Sequence, residues 1–170
     1  MVKKITRQTH NLMNKRKKTI AVAESCTGGL LAGLLTSLLN ASKYFLLGVV
    51  AYSNKAKEII LGIPAKTIAR YGAVSQPVAL LMAKNIRKKI HADFGLSITG
   101  IAGPVRSPTA HSATSNGGAT PDKSVGTVYI GLAEKNKNIC RKFNFSGNRL
   151  SIRKKAAQEA LRLLCAHLSR

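Results

Sequence analysis

Acidic residues are scarce in this chain, and cysteine and histidine are too few and too scattered to form a disulfide framework or a metal site. Six aspartates and glutamates stand against 28 lysines and arginines in 170 residues, so the formal net charge is +22. The three cysteines, Cys26, Cys140 and Cys165, form no Cys-x-x-Cys pair, and the four histidines have no metal-ligand spacing. These absences exclude a disulfide framework and a zinc site, and they favour a reducing, cytoplasmic compartment.

Long apolar runs are also missing. The stretch 20–39 follows a basic start and superficially resembles a signal peptide or a membrane anchor, but Glu24 interrupts it, and Ser25, Thr27 and two glycines dilute it. A spanning helix needs about 20 predominantly apolar residues. We therefore predict neither export nor a membrane segment.

The excess of positive charge has two interpretations. Such a surface attracts nucleic-acid phosphates through counterion release. The basic residues are nevertheless dispersed along the chain without interleaved aromatic residues, and 18 lysines outnumber 10 arginines, whereas specific base contacts favour arginine. A lysine-rich solvated surface and a nucleic-acid interface both stay open, and any nucleic-acid contact is predicted to be non-specific.

Apolar runs separated by turn residues predict five strands with helices between them. The predicted strands are 19–23, 46–52, 94–99, 125–132 and 139–145, and the predicted helices include 29–39, 55–61 and 150–168. A further helix, capped by Ser75, has an apolar face made of Val78, Leu81, Met82, Ile86 and Ile90.

This order of elements predicts an α/β fold. With 45% hydrophobic residues, a chain of this length buries one core. We expect a single-domain three-layer α/β/α sandwich with a mixed, mostly five-stranded sheet. Residues 1–18 are predicted to form a basic arm or helix at the start of a domain that covers residues 10–168.

The segment Glu24–Gly29 directly follows the first predicted strand and is rich in small hydroxyl residues and glycine. A sharp turn between strand and helix exposes a hydroxyl and directs the free N–H groups of the helix toward one point, where an anion or oxyanion can bind. In the alternative interpretation, Ser25 or Thr27 simply caps the helix.

Two other loops, 52–57 and 99–104, also follow predicted strands, so all three are expected to meet at one crevice. They supply serine, lysine, tyrosine and threonine but no histidine. A serine nucleophile without histidine needs another base, and a lysine serves when burial lowers its pKa.

Several segments, found in order along the chain, together resemble the CinA C-terminal domain family. They are 23–29 (AESCTGG), 52–57 (YSNKAK), 72–75 (GAVS), 98–104 (ITGIAGP), 120–129 (TPDKSVGTVY) and 145–153 (FSGNRLSIR). The resemblance implies a stand-alone PncC-type nicotinamide-nucleotide amidohydrolase that uses neither metal nor cofactor. Such an enzyme converts nicotinamide mononucleotide (NMN) to nicotinate mononucleotide and ammonia. The resemblance also implies that the protein associates with copies of itself.

By the same resemblance, Ser25 is the nucleophile and Lys57 its base, while Tyr52 and Thr99 assist and could hydrogen-bond either of them. Lys55 occupies the variable place of the YSNxAK pattern. The two lysines would point about 200° apart on a helix, so only one can face Ser25.

Substrate-binding roles are expected in the glycine-rich loops and on the final helix. The candidates in the loops, some of them through backbone N–H groups that bind an oxyanion, are Cys26, Thr27, Gly28, Gly29, Gly100, Ala102 and Gly103. Arg149 and Arg153 either bind the substrate phosphate, make a subunit contact or are ordinary helix-surface charges. Cys26 is a rival nucleophile at a helix N-terminus, or a small packing residue.

The chain departs from the family pattern at residues 105–116, which are inserted before Gly117-Gly118. The insertion is interpreted as a lid, a modifier of substrate choice or an inert loop. A second function also stays open, that of a non-catalytic relative that binds nucleic acid or a protein partner.

Overall fold

A five-stranded mixed sheet forms the middle layer of the molecule. The computed structural model describes residues 2–103 and 123–169. The strands are β1 (Ile20–Glu24), β2 (Phe45–Val50), β3 (Phe94–Gly100), β4 (Thr127–Ala133) and β5 (Asn138–Asn144), in the spatial order β2-β1-β3-β4-β5. The first three run parallel, whereas β4 and β5 run antiparallel to their neighbours. The predicted fold class is confirmed.

Helices cover both faces of the sheet. They are α1 (Val2–Arg16), α2 (Leu30–Thr36), α3 (Asn54–Leu61), α4 (Ala65–Tyr71), α5 (Gln76–Lys89) and α6 (Arg149–Leu168), with a short 3-10 turn at Ala41–Lys43. Residues of α1, α2 and α6 form one hydrophobic core with the sheet, and residues of α3, α4 and α5 form the other. Because β1 lies between both cores, all five of its residues are buried.

Helix α5 packs very closely on the sheet. A Cβ atom at Gly95 of β3 would lie 2.0 Å from the backbone oxygen of Ala83, so only glycine allows this approach. Ser97 also donates a hydrogen bond of 2.6 Å to the backbone oxygen of Ala79. Helix α5 is therefore held directly against β3, the strand that leads into the loop at 99–104.

Most predicted elements are present, with ends shifted by a few residues. Ser75 caps α5 by accepting from the Val78 amide, as predicted. Ile90 was assigned wrongly to the apolar face of that helix: it follows the last helical residue and is 41% exposed. The basic N-terminal stretch forms α1, which packs against α6. The inserted residues 105–116 lie outside the described residues.

Strand β2 forms one edge of the sheet. Its sequence is apolar throughout, and Leu46 and Val50 are each more than 40% exposed. Lys43 is the one charged residue between positions 25 and 54.

In the described part of the chain, no helix is long and apolar enough to cross a membrane.

Candidate active site

Lys57 and Ser25 meet where β1 and β2 end. Lys57 lies in the first turn of α3, which Ser53 caps by accepting from the Ala56 amide. Its Nζ lies 3.1 Å from the Ser25 hydroxyl oxygen, 2.9 Å from the Ala51 carbonyl oxygen and 3.2 Å from that of Tyr52. The structure thus brings together the predicted serine and lysine.

The Lys57 amine is almost completely buried, with 1% of the residue exposed. This burial lowers its pKa from 10.5 to about 8. A neutral amine has two N–H donors and one lone pair. Two of its three neighbours are carbonyl oxygens, which only accept, and the third is a hydroxyl that can donate. Nζ donates to all three oxygens in its charged form, whereas in the neutral form the two carbonyls can take both N–H groups and leave the lone pair for the Ser25 proton.

Lys55 has no part in this contact. Its side chain is 75% exposed, and its ammonium lies 3.9 Å from the Glu58 carboxylate. The opposite directions of the two lysines follow from their spacing on the helix, as predicted.

Cys26 is buried, with 5% of the residue exposed, and packs in the core beside α2 and α6. Burial raises the pKa of its thiol to about 12. A thiol that keeps its proton at neutral pH is a poor nucleophile. The geometry therefore favours the packing role for Cys26.

The hydroxyls of Tyr52 and Thr99 make different contacts from those expected. Tyr52 is 56% exposed, and its hydroxyl accepts a 2.7 Å hydrogen bond from Arg149. The buried Thr99 hydroxyl donates to the Ala73 carbonyl at 2.8 Å. The expectation that these hydroxyls hydrogen-bond Lys57 or Ser25 is wrong for this structure: Tyr52 contacts the lysine through its backbone, and Thr99 attaches the loop before α5 to β3.

The N-terminus of α2 is already occupied by a negative charge. The carboxylate of Glu24, a residue only 1% exposed, accepts hydrogen bonds from the amides of Gly29 (3.1 Å), Leu31 (3.1 Å) and Ala32 (2.8 Å). The expectation that these N–H groups bind an external anion is therefore corrected, because Glu24 already accepts from them. Neither hydroxyl of the preceding turn caps the helix, so that alternative is also wrong.

The backbone amides of the turn differ in their hydrogen-bond partners. Gly28 donates to the Ser25 carbonyl, while among the described residues no backbone carbonyl accepts from the amides of Cys26 and Thr27. Gly28 and Gly29 have φ values of 59° and 92°, in the left-handed region that glycine tolerates best. The oxyanion donors proposed for this turn are thereby narrowed to Cys26 and Thr27.

The second glycine-rich loop borders the same edge of the sheet. Gly100 ends β3, and the next amide, that of Ile101, donates to Thr127 at the start of β4. Ala102 is buried, and a Cβ atom at Gly103 would lie 3.5 Å from the Arg149 guanidinium. This loop and Arg149 of α6 therefore meet beside the exposed Tyr52, and we call this region the mouth of the site.

The two arginines of α6 make different contacts. Arg149 is exposed and donates to the Tyr52 hydroxyl. Arg153 is half-buried, and its Nε and Nη2 donate to the Thr27 carbonyl at 3.2 and 2.6 Å. Arg153 is therefore more than a surface charge, and its contact with the turn was not anticipated.

Sequence reasoning missed Glu24 as a functional residue. The available signal was its position: it ends a buried strand directly before the candidate nucleophile, and the first turn of α2 contains no acidic residue. The contacts of Lys57 with the backbone carbonyls of Ala51 and Tyr52 could not be found from the sequence, because every residue has a backbone carbonyl. No cluster of three or more histidine, cysteine, aspartate or glutamate side chains suited to a metal occurs within residues 2–103 and 123–169.

Comparison with known proteins agrees with this architecture. The family model described as the CinA C-terminal domain matches residues 2–168. A protein of Thermoanaerobacter pseudethanolicus named as competence-damage inducible is 50% identical over 157 residues, 92% of this chain and 35% of that protein. A CinA-like protein of Thermotoga neapolitana is 45% identical over the same shares of the two chains. This chain thus spans about a third of the length of these curated relatives.

Solved structures share the fold over nearly the whole chain. The crystal structure of a competence or damage-inducible protein from Enterobacter asburiae superposes with a TM-score of 0.88 at 30% identity, covering 99% of this chain and 98% of that one. A CinA superfamily protein from Klebsiella pneumoniae gives a TM-score of 0.89 at 26% identity, with the same coverage. This chain belongs to the CinA C-terminal domain family.

Proposed function

We propose that this protein is a cytoplasmic amidohydrolase that converts NMN to nicotinate mononucleotide and ammonia through an acyl-enzyme on Ser25. The observation that carries the proposal is the environment of Lys57: a buried amine with a lowered pKa, two carbonyl acceptors and one hydroxyl neighbour. A serine beside such an amine is suited to acyl transfer without histidine or metal.

In the first step, the Ser25 oxygen attacks the carboxamide carbon as the neutral Lys57 amine takes the hydroxyl proton. The carbonyl oxygen becomes an oxyanion, which the amides of Cys26 and Thr27 stabilise. Collapse of the tetrahedral intermediate breaks the C–N bond, and the Lys57 ammonium returns its proton to the departing nitrogen. Ammonia leaves, and the nicotinoyl group remains as an ester on Ser25.

In the second step, the again neutral Lys57 takes a proton from a water molecule that attacks this ester. The tetrahedral intermediate collapses, Ser25 regains its proton from Lys57, and nicotinate mononucleotide is released. Both steps use the lysine first as base and then as acid. They require a pKa near the working pH, as a value of about 8 provides.

Recognition of the nucleotide is assigned to the mouth of the site. The exposed Arg149 lies against the Tyr52 hydroxyl and beside Gly103. Its guanidinium is suited to the substrate phosphate, because arginine forms paired hydrogen bonds with phosphate oxygens. A pyridine mononucleotide is therefore expected to bind better than the corresponding nucleoside or free nicotinamide.

The experiment is ammonia release from NMN by the purified protein, with Ser25→Ala and Lys57→Met beside it and circular dichroism on all three. Lys55→Ala is the matched control, since this lysine lies two residues away and is exposed. Turnover that Ser25→Ala and Lys57→Met lose and Lys55→Ala keeps supports the proposal. A well-folded wild type that releases no ammonia contradicts it and favours the non-catalytic alternative. Duplex-DNA titration at two salt concentrations then tests that alternative.

A further inference from the structure

The turn that carries Ser25 is held by two charged side chains from different elements, β1 and α6. From within, the Glu24 carboxylate accepts from three amides at the start of α2. From α6, Arg153 donates two hydrogen bonds to the Thr27 carbonyl. Neither Glu24 nor Arg153 takes part in the proposed proton transfers.

The turn needs such support because of its sequence. Two consecutive glycines, Gly28 and Gly29, follow Thr27 and carry little intrinsic preference for one backbone conformation. Arg153 fills the space beside them: a Cβ atom at Gly28 would lie 3.2 Å from its Nη2. Two N–H groups of one planar guanidinium that donate to the same carbonyl oxygen fix its direction as well as its distance.

We infer that Arg153 is a positioning residue: by holding the Thr27 carbonyl it fixes the turn whose Cys26 and Thr27 amides are the proposed oxyanion donors. The inference rests on the proposed acyl-transfer function. The Thr27 carbonyl shares its planar peptide with the Gly28 N–H, and the peptide that carries the Thr27 N–H joins this unit at the Thr27 Cα. Holding the carbonyl therefore limits how far the turn can rotate about that Cα. Preorganised donors of this kind stabilise the transition state more than the bound substrate.

Arg149 provides a contrast within the same helix. It lies one helical turn before Arg153, but its guanidinium donates to the Tyr52 hydroxyl at the site mouth. Removing it is expected to weaken substrate binding and so raise KM. Removing Arg153 is expected to disturb the oxyanion donors and so lower kcat. Two arginines of equal charge are thus distinguished by which kinetic constant they change.

The test compares Arg153→Met, Arg153→Lys and Arg149→Met. The control is Lys154→Met, which also removes a positive charge from this helix but at an exposed position. Each variant is assayed for kcat and KM with NMN and for the rate at which p-nitrophenyl acetate acylates Ser25. The ester needs no pyridine recognition, so the part of its acylation rate that Ser25→Ala loses reports on the nucleophile and the oxyanion donors. Thermal unfolding is recorded for every variant.

For Arg153→Met we expect kcat and the acylation rate to fall by about 100-fold, the scale of one lost oxyanion donor, with KM within about threefold of wild type. Added guanidinium ion should restore part of the acylation rate. Arg149→Met should raise KM for NMN, whereas the control Lys154→Met should leave both KM and acylation by the ester unchanged. Arg153→Lys, which cannot reproduce both hydrogen bonds, is expected to lie between wild type and Arg153→Met, and it replaces Arg153→Met if the latter does not fold.

The inference is overturned if Arg153→Met retains wild-type kcat and acylation, or if it changes only KM. It is also overturned if the loss merely follows thermal unfolding at the assay temperature and guanidinium restores nothing. In a further outcome, the ester acylates the wild type on Ser25, and Arg153→Met more slowly, yet the wild type fails to hydrolyse NMN. That outcome supports the inference and rejects the proposed substrate. The two failures are therefore distinguishable.

Discussion

The Lys57 amine lies 3.1 Å from the Ser25 hydroxyl oxygen, although 32 positions separate the two residues in the sequence. The contact forms because β1 and β2 are parallel neighbours, so the turn after β1 and the helix after β2 begin at the same edge of the sheet. Both residues are buried. A proton shared between them is therefore shielded from bulk water, and its transfer depends on the protonation of the lysine.

Activity should rise with pH through the pKa of Lys57. With a pKa of about 8, about a tenth of the amine is neutral at pH 7 and about nine tenths at pH 9. We expect the rate of Ser25 acylation by p-nitrophenyl acetate to increase about tenfold over this interval. The measurement is a pH–rate profile from pH 6.5 to 9.5, with Lys55→Ala showing the same profile. A flat profile would contradict the role of Lys57 as base.

Stability should depend on pH through the same residue. The folded-state pKa of about 8 lies below the unfolded value of 10.5, so between these two values the unfolded chain binds more protons. The free energy of unfolding therefore rises with pH from 8 to 10.5, by on the order of 3 kcal/mol from this lysine. Below pH 8 the full cost of burying the charge remains.

The measurement is urea unfolding of wild type and Lys57→Met at pH 7.5 and pH 10. Other titrating groups are common to both proteins, so the difference between them isolates Lys57. The wild type should gain stability relative to the variant as the pH is raised. Unchanged relative stability would show that the buried amine has an ordinary pKa.

Glu24→Gln should destabilise the protein more than the same substitution at the partly exposed Glu58. The variant replaces a buried carboxylate that accepts three amide hydrogen bonds by an amide whose NH₂ group cannot accept them. We expect a loss of about 1–3 kcal/mol in the free energy of unfolding. Glu58→Gln, whose partner is the exposed Lys55, should change it by less than about 1 kcal/mol. Equal effects of the two substitutions in denaturant unfolding would refute the capping role of Glu24.

Cys26→Ala should keep most of the turnover. Burial raises the pKa of this thiol to about 12, so a nucleophilic thiolate is scarce at neutral pH. The substitution removes a buried sulfur from the core and is expected to cost about 1 kcal/mol of stability. Steady-state kinetics beside thermal unfolding separates these effects. A folded variant without activity would instead identify Cys26 as the nucleophile.

The sequence predicted the parts of the site that depend on order and periodicity. The meeting of the loops follows from parallel strands. Angular separation on a helix shows that only one of Lys55 and Lys57 can face Ser25, whereas the choice of Lys57 comes from the resemblance, in which Lys55 occupies the variable place of the pattern. Side-chain directions at the sheet edge were not predictable in this way. The Tyr52 hydroxyl contacts Arg149 because of how α6 packs, which no local pattern encodes.

The occupant of the α2 N-terminus shows the same limit. The residue pattern correctly indicated a strand, a turn and a helix with N–H groups directed toward one region. It did not show that Glu24 reaches those groups first, since this depends on how sharply the turn at Gly28 and Gly29 folds back. A long-range contact such as Arg153 with Thr27 lies further still beyond local reasoning.

Strand β2 is an outer strand of the sheet in residues 2–103 and 123–169, and this has a consequence for how concentrated solutions of the protein behave. An apolar edge strand offers unpaired backbone groups to a neighbouring copy, and edges are commonly protected by nearby charged side chains. Here the local sequence supplies little charge, whereas the chain as a whole carries +22. Long-range repulsion between like-charged copies then provides the protection, and its range shortens to about 10 Å at 0.1 M salt. Colloidal stability should therefore be highest at low ionic strength and should decline as salt is added.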